Sequence, residues 1–109
     1  MARAATTADV FNAIAEPRRR EIIGLLNDGQ EWAVGDVVAR VKIAQPAVSK
    51  HLGVLRRAGL VRDRHEGRQT HYSAQLAALS PLVDWTKQMN AFWESRFDDL
   101  ENLLKRMDQ

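Results

Sequence analysis

Residues 45–58, QPAVSKHLGVLRRA, separate into a polar half and an apolar half when they are placed on a helix. At 100° per residue, the polar, cationic and small side chains fall within one arc of about 140°. That arc holds Gln45, Pro46, Ser49, Lys50, Gly53, Arg56 and Arg57. The opposite arc holds Ala47, Val48, His51, Leu52, Val54, Leu55 and Ala58. We therefore expect a helix that closes a core with one face and leaves a cationic face exposed.

The residues on either side of this helix predict a helix-turn-helix unit. Valines at helical spacing along residues 34–41 indicate a two-turn helix, and residues 42–44 form a short turn with one apolar side chain. Gly59 follows the second helix, with Leu60 placed to pack back onto it in a Schellman-type stop. Two short helices joined by a three-residue turn form such a unit, in which the helix of about 45–58 is the second.

A β-hairpin is predicted over residues 61–73, where β-favourable side chains flank the dipeptide Glu66-Gly67. With that dipeptide at the tip, the cross-strand pairs include His65 with Arg68 and Arg62 with His71. His65 then shares a face with Asp63 and Thr70, whereas His71 lies on the other face. The two histidines therefore cannot hold one metal ion.

The remaining elements are predicted to be helical except for one short strand. Residues 8–15 form a helix with Thr6 or Thr7 as its cap, and a second helix starts at Pro17 and stops at Asp28-Gly29. Residues 31–33 form a short strand, and 82–107 form one long helix without Gly or Pro. The predicted fold is mostly α with a small β-hairpin (α+β): a winged helix-turn-helix of about five to six helices.

The charge of the chain is concentrated around the predicted helix-turn-helix and hairpin. The 109 residues carry a formal net charge of only +2, yet residues 40–68 hold eight Lys or Arg against two acidic residues, a local charge of +6. Such a segment is a candidate surface for a polyanion, although most charge clusters are merely solvated faces. The length indicates a single domain over 1–109, and without an apolar leader or membrane segment we expect a cytoplasmic protein.

The exposed face of the 45–58 helix has the side chains that DNA-binding helices present to bases in the major groove. Gln45 is suited to the N6 and N7 atoms of adenine, Lys50 to O6 and N7 of guanine, and Ser49 to either base. Pro46 offers an apolar surface to a thymine methyl group, and Gly53 allows a close approach. The alternative for a lone helix is that these side chains only solvate its surface.

Cations farther along the chain are better placed for phosphates, which fix register but carry little sequence information. Arg56 and Arg57 lie two turns along the helix, and the basic hairpin can reach the minor groove or the backbone. The candidate DNA-binding residues are Lys42, Gln45, Pro46, Ser49, Lys50, Arg56, Arg57, Arg64, His65 and Arg68. Their combination of helix and hairpin favours DNA binding over a merely solvated surface.

Four sequence motifs in this order resemble the ArsR/SmtB family of bacterial winged-helix repressors. They are AEPRRREII at 15–23, QPAVSKHL at 45–52, RRAGLV at 56–61, and EGR at 66–68 continuing to YS at 72–73. The resemblance covers roughly residues 8–80. It implies a homodimer that binds double-stranded DNA at an inverted-repeat operator and represses transcription, commonly of its own operon.

The chain departs from the metal-sensing members of that family. Their arsenic-sensing pattern ELCVCDL falls on EWAVGDV at residues 31–37, so both cysteine positions are lost, to Ala33 and Gly35. The zinc sensors use Asp and His on the C-terminal helix, but residues 82–107 contain no histidine and Asp84 alone cannot make a site. The resemblance is therefore to the metal-independent, cysteine-free branch, with no metal and no cofactor expected. His51, among apolar neighbours, is expected to be a core histidine bonded to backbone.

The long C-terminal helix carries an apolar stripe of about 39 Å, longer than a winged domain of this size covers by itself. We expect a second copy of the chain to cover the surplus. The candidate interface residues are Val10, Phe11, Ile14, Leu82, Trp85, Met89, Phe92 and Trp93. The chain then divides into a winged-helix core at 8–80 and a dimerisation helix at 81–107. Arg96 lies within the stripe, where it either reaches solvent or forms an ion pair across the dimer.

Two other kinds of function remain as alternatives. A winged fold can serve as a protein-interaction module, and the aromatic residues of the long helix could make the protein responsive to a small ligand, although no inducer is evident. An enzyme is not expected, because the sequence has no P-loop, dinucleotide fingerprint, HExxH motif or nucleophile elbow.

Overall fold

A computed structural model describes residues 6–108 of the chain, so the outermost residues of the predicted 1–109 domain lie outside the described part. The helices are α1 (Thr7–Ile14), α2 (Pro17–Leu26), α3 (Val34–Val41), α4 (Gln45–Arg57) and α5 (Ser80–Met107). The strands are β1 (Trp32–Ala33), β2 (Val61–Glu66) and β3 (Gln69–Ala74), and a 3-10 helix at Leu76–Leu79 precedes α5. This architecture confirms the predicted winged helix-turn-helix, with the 3-10 turn as an element that the periodicity did not indicate.

The first two helices are held end to end by local capping. Thr6 caps α1 in a reciprocal box with Asp9, whose carboxylate accepts the Thr6 backbone N–H at 2.8 Å. At the other end of α1, Arg19 donates to the carbonyl of Ala13, and Arg20 donates to that of Ile14 at 2.9 Å. These two arginines satisfy carbonyls that the end of a helix leaves unpaired. Part of the basic run after Pro17 is therefore structural.

The end of α4 is a Schellman motif, as the sequence predicts. The N–H of Leu60 bonds the carbonyl of Leu55 at 2.9 Å, and the N–H of Gly59 bonds that of Arg56 at 3.0 Å. Gly59 has a φ of +81°, in the left-handed region where residues with a Cβ are strained. Leu60 is buried, so the stop also directs the chain into β2.

The core lies between the helix-turn-helix, α1, α2 and the start of the hairpin. Its buried members are Val10, Ala13, Ile22, Leu26, Val37, Val41, Val48, Leu52, Leu55, Ala58, Leu60 and Val61. α3 ends at Lys42, which adopts a left-handed conformation with φ of +60° and donates its N–H to the carbonyl of Val38 at 2.9 Å. After this turn α4 packs against α3, and the buried valines of α3 and the buried valine and leucines of α4 face the same core.

The three strands form one antiparallel sheet in the order β1-β3-β2, with Trp32 opposite Tyr72. The predicted hairpin is present, but its tip lies one residue later in the chain than predicted, so the cross-strand partner of each residue is shifted by two positions. The observed pairs include Glu66 with Gln69, His65 with Thr70 and Arg64 with His71. His65 therefore does not pair with Arg68, nor His71 with Arg62.

The physical reason is the turn type at the tip of the hairpin. The loop is Gly67-Arg68, and only the glycine has a positive φ, of +60°. A glycine first in a two-residue loop is typical of a type II′ turn, whereas the predicted Glu66-Gly67 tip assumed glycine second, as in type I′. His65 and His71 still lie on opposite faces of the hairpin in the observed register.

α5 extends away from the rest of the fold. Its 28 residues span about 42 Å, and none of them, all within the described part of the chain, is buried. The radius of gyration is 19.2 Å, whereas a compact chain of this length has about 13 Å. Over residues 6–108, no helix has the length and apolar character that crossing a bilayer requires.

Substitution of Gly59 by Ala is expected to lower the free energy of unfolding by about 1 kcal/mol, because alanine is strained at the left-handed end of α4. Gly24 is the matched control, since it lies inside α2 and an added Cβ there would meet only open space. Gly24→Ala is expected to raise the free energy of unfolding by about 0.5–1 kcal/mol. Urea denaturation measures both, and an equal effect of the two substitutions would contradict the assignment of Gly59.

Candidate nucleic-acid interface

The orientation of α4 follows from three side chains that have no solvent exposure. Val48, Leu52 and Leu55 are each 0% exposed and form one side of the helix. The opposite side therefore faces solvent, and its exposed members are Gln45, Pro46, Ser49, Lys50, Arg56 and Arg57. The structure thus brings the predicted base-contacting and phosphate-contacting residues of α4 to one continuous surface.

The donors at the start of this surface are not engaged within the protein. Among residues 6–108, no hydrogen bond or ion pair involves the side chains of Gln45, Ser49 or Lys50. The side chain of Lys42, in the turn before α4, is also exposed and forms no hydrogen bond or ion pair within the described residues. These side chains keep their full hydrogen-bonding capacity for a ligand.

Gly53 has no side chain, so the helix is thin at the centre of this surface, and the guanidinium of Arg57 lies next to it. A Cβ at Gly53 would lie 3.3 Å from Nη1 of Arg57, which is closer than most contacts of that kind. The missing side chain therefore makes room for the guanidinium of Arg57 on the exposed side of α4. The contact places this cation at the middle of the helix face rather than beyond its end.

Arg56 connects α4 to the hairpin. Its Nε lies 3.8 Å from Oδ2 of Asp63, and the same carboxylate oxygen lies 3.3 Å from Nε2 of His65. The ring of His65 also contacts the hydroxyl of Thr70, with 3.1 Å between Nδ1 and Oγ1. His65, Asp63 and Thr70 share a face of the hairpin, which confirms that part of the prediction.

The guanidinium of Arg64 donates hydrogen bonds to two carboxylates of the same chain. Its Nε and Nη2 donate to Oε2 and Oε1 of Glu31 at 2.7 and 2.9 Å, and its Nη1 donates to Glu66 at 3.0 Å. The hydrogen bonds from Arg64, with its positive charge, hold the pKa of the Glu31 carboxyl below its ordinary value. The same bonds raise the pKa of Arg64. Glu31, which lies 33 residues away along the chain, is not among the residues that the sequence predicted for the site.

Two other arginines of the hairpin remain unpaired within the described residues. Arg68 lies exposed in the tip loop, and Arg62 lies exposed on β2. Arg62 was not among the predicted site residues, although its charge contributed to the basic segment 40–68. Arg40, from the same segment, lies 5.7 Å from the ring centre of Trp32 in a cation–π contact.

His51 differs from the expectation of a backbone-bonded core histidine. Its Nδ1 is buried without a hydrogen-bond partner among residues 6–108, and its Nε2 lies 3.9 Å from Oε2 of Glu16. The predicted backbone bond is therefore wrong, because the ring is directed toward the cap of α2 instead. Within the described residues no three His, Asp or Glu side chains are grouped so that they could hold a metal ion.

The predicted dimer residues occupy α1 and the first half of α5. Phe11 and Trp85 meet edge to face with ring centres 5.9 Å apart, and they border an open groove of about 590 Å³. The groove is lined by Phe11, Ile14, Ala15, Arg20, Leu82 and Trp85. Val10 differs from the others, because it is only 5% exposed and belongs to the core of the single chain.

Farther along α5, the apolar stripe stays exposed, and Arg96 has a partner within the helix. Trp93 is 53% and Phe97 is 63% exposed. The guanidinium of Arg96 lies 4.9 Å from the ring centre of Phe92, a cation–π contact. In the single chain, Arg96 therefore covers part of the stripe with its own side chain.

Known proteins resemble both the sequence and the fold. Residues 16–63 match the pattern described as bacterial regulatory protein, arsR family. The transcriptional repressor SdpR of Bacillus subtilis is 34% identical over 77 residues, which are 71% of this chain and 84% of SdpR. The biofilm growth-associated repressor of Agrobacterium fabrum is 40% identical over 82 residues, 75% of this chain and 69% of that protein.

The fold has close structural counterparts. The crystal structure of the ArsR family transcriptional regulator RHA00566 matches with a TM-score of 0.69 and 25% identity, over 85% of this chain and 98% of that one. The match in fold agrees with the matches in sequence and with the exposed cationic face of α4. The chain therefore belongs to the arsR family of bacterial regulatory proteins and is a DNA-binding transcriptional regulator of the winged helix-turn-helix type.

Proposed function

We propose that the protein is a homodimeric repressor that binds an inverted-repeat operator and represses its own operon. The observation that carries this proposal is the exposed face of α4, where Gln45, Ser49 and Lys50 have no partner within residues 6–108. These donors are available to base edges, and the missing side chain of Gly53 allows a close approach of the helix to DNA. The repressor names of SdpR and the biofilm growth-associated repressor support the direction of regulation.

In this proposal, the N-terminal half of α4 reads bases in the major groove. Gln45 bonds adenine, Lys50 bonds guanine, and Ser49 bonds either base, because their donors and acceptors match those base edges. Pro46 contacts a thymine methyl group. The helix starts at Gln45, so these residues lie on its first two turns, the part of a recognition helix that meets base edges.

The phosphates are bound by cations around this centre. Lys42 before α4, Arg57 over Gly53 and Arg68 at the hairpin tip are exposed and carry no ion pair among the described residues. Arg56 and His65 lie beside the carboxylate of Asp63 on β2, and we expect them to contact backbone phosphates nearby. Arg64 belongs to the proposed set, although its Nε and Nη2 can bind a phosphate only when Glu31 releases them.

The dimer is built by α5 together with α1. Residues 8–80 act as the DNA-binding core and residues 81–107 as the dimerisation helix, because the stripe on α5 is exposed along its length and ends beside the apolar groove at Phe11 and Trp85. A second copy of this stripe is the occupant that the groove fits. The pairing sets the separation of two recognition helices, which must be about 34–36 Å to enter successive major grooves.

Binding to the DNA upstream of its own gene tests the proposal. If about four cations per subunit contact phosphates, the logarithm of the association constant falls against the logarithm of the salt concentration with a slope near −7. Fluorescence anisotropy across a salt series measures this slope. A slope near zero, or no binding, would contradict the proposal and favour a protein-interaction module.

Dimerisation is tested by placing a charge in the exposed stripe. Trp93→Glu buries a carboxylate at the proposed interface and is expected to weaken the dimer by at least about 2 kcal/mol, or roughly 30-fold in dissociation constant. Ala91 is exposed on the opposite side of α5, so Ala91→Glu is the matched control with little expected effect. Sedimentation equilibrium measures both. A monomeric wild-type chain, or equal effects of the two substitutions, would contradict the proposed interface.

A further inference from the structure

The outer face of the sheet carries a cluster of Glu31, Arg64 and Glu66, termed the Arg64 cluster below. Both carboxylate oxygens of Glu31 accept hydrogen bonds from the guanidinium, at 2.7 and 2.9 Å, and Glu66 accepts a third at 3.0 Å. Each of the three guanidinium nitrogens therefore donates to a carboxylate oxygen. Two carboxylates around one cation leave the cluster with a formal charge of −1.

The sheet topology brings these distant residues together. Arg64 on β2 lies opposite His71 on β3, and His71 lies opposite Ala33 on β1. Glu31 is two residues before Ala33 and thus on the same face of the sheet. The side chain of Arg64 crosses the central strand to reach Glu31, so the ion pair ties the hairpin to the segment that follows α2.

A carboxylate in this position has the geometry of a phosphate contact. Arginine binds carboxylates and phosphates through the same planar fork of N–H donors. In Arg64, the fork formed by Nε and Nη2 is filled by Glu31, so a DNA phosphate must displace that carboxylate to bind there. Arg62 and Arg68, on the same hairpin, have no such competitor among residues 6–108.

We propose that Glu31 is an affinity-setting residue that acts as an internal mimic of the DNA phosphate on Arg64. This inference rests on the proposed DNA-binding function of the hairpin. Because phosphate contacts carry no sequence information, Glu31 lowers the affinity for all DNA alike and limits non-specific binding. The recognition of bases by α4 is left unchanged.

The stability of the fold is expected to depend little on the ion pair of Arg64 and Glu31. A change in DNA affinity on breaking the pair therefore does not arise from unfolding. The side chains of Arg64 and Glu31 are 47% and 43% exposed, and exposed ion pairs contribute little to stability. Arg18 and Glu21 on α2 form an ion pair at 2.9 Å with the same exposures, 47% and 43%. Glu21→Gln therefore removes the same charge from an ion pair of the same exposure, but on α2 and outside the Arg64 cluster.

The test compares DNA binding of the full-length wild type, Glu31→Gln and Glu21→Gln by fluorescence anisotropy. Release of Arg64 adds one phosphate contact per subunit, so the salt slope of a Glu31→Gln dimer steepens by about 2. Its affinity for both operator and random DNA is expected to rise on the order of tenfold at about 0.1 M salt. Glu21→Gln is expected to stay within about twofold of the wild type.

A second substitution shows whether the gain in DNA affinity depends on Arg64. In an Arg64→Gln background, Glu31→Gln is expected to have no effect on affinity or salt slope, since no fork remains to be released. A gain that persists without Arg64, a gain equal to that of Glu21→Gln, or a loss of affinity in Glu31→Gln would each overturn the inference. A wild type that does not bind DNA overturns the proposed function itself, whereas a binding wild type without a gain in Glu31→Gln overturns only the role of Glu31.

Discussion

The burial of Val48, Leu52 and Leu55 is the constraint on which the rest of the molecule depends. These side chains are 0% exposed and lock one face of α4 to the core. At 100° per residue, fixing that face also fixes the direction of every other side chain on the helix. The cationic face points toward solvent because the valine and leucines on the opposite face are buried in the core. The left-handed turn at Lys42 sets the angle at which α4 crosses α3.

The electrostatics of the surface differ from what a count of charges suggests. The segment 40–68 has a formal charge of +6, yet several of its cations are engaged within the protein. Arg40 lies on Trp32, Arg56 lies beside Asp63, and Arg64 is enclosed by two carboxylates. The cations left for a polyanion are concentrated in the turn before α4, on its exposed face and at the hairpin tip. Folding thus turns a broad basic segment into a narrower cationic surface.

The sequence predicted the fold well because the fold is built from local patterns. The arcs of α4, the proline at the start of α2 and the glycine at the Schellman stop of α4 each express short-range physics. The hairpin register was wrong because the position of Gly67 in the turn depends on the sign of φ at a single residue, which the composition of the tip does not reveal. His51 and Val10 show the same limit, since burial and bonding partners are set by tertiary packing.

The Arg64 cluster could not be predicted for a different reason. It joins residues 33 positions apart through a central strand, and neither periodicity nor local charge encodes such a pairing. The residues of the α4 face, in contrast, were predictable because they lie on one helix. The proposed site therefore has two parts: a base-contacting part whose residues lie on one helix, and a phosphate-contacting part whose charges depend on contacts between distant residues.

α5 was also predictable from a local pattern, because apolar residues recur at helical spacing along its length of about 42 Å. None of its residues within the described chain is buried. A helix of this kind gains stability chiefly by packing against another surface. In the proposed dimer, a second copy of the chain covers this stripe and holds the two α4 faces in a fixed relation. The two-fold symmetry of that dimer and the orientation of α4 would then determine the symmetry of the operator.

In vitro selection of bound DNA from a random library tests this arrangement most directly. The account predicts an inverted repeat whose half-site centres are separated by one helical turn, about 10–10.5 base pairs, or a multiple of it. It also predicts that Lys50→Ala loses base preference at one position in each half-site, while Lys87→Ala on α5 does not. Selected sequences without two-fold symmetry, or an unchanged preference in Lys50→Ala, would contradict the account.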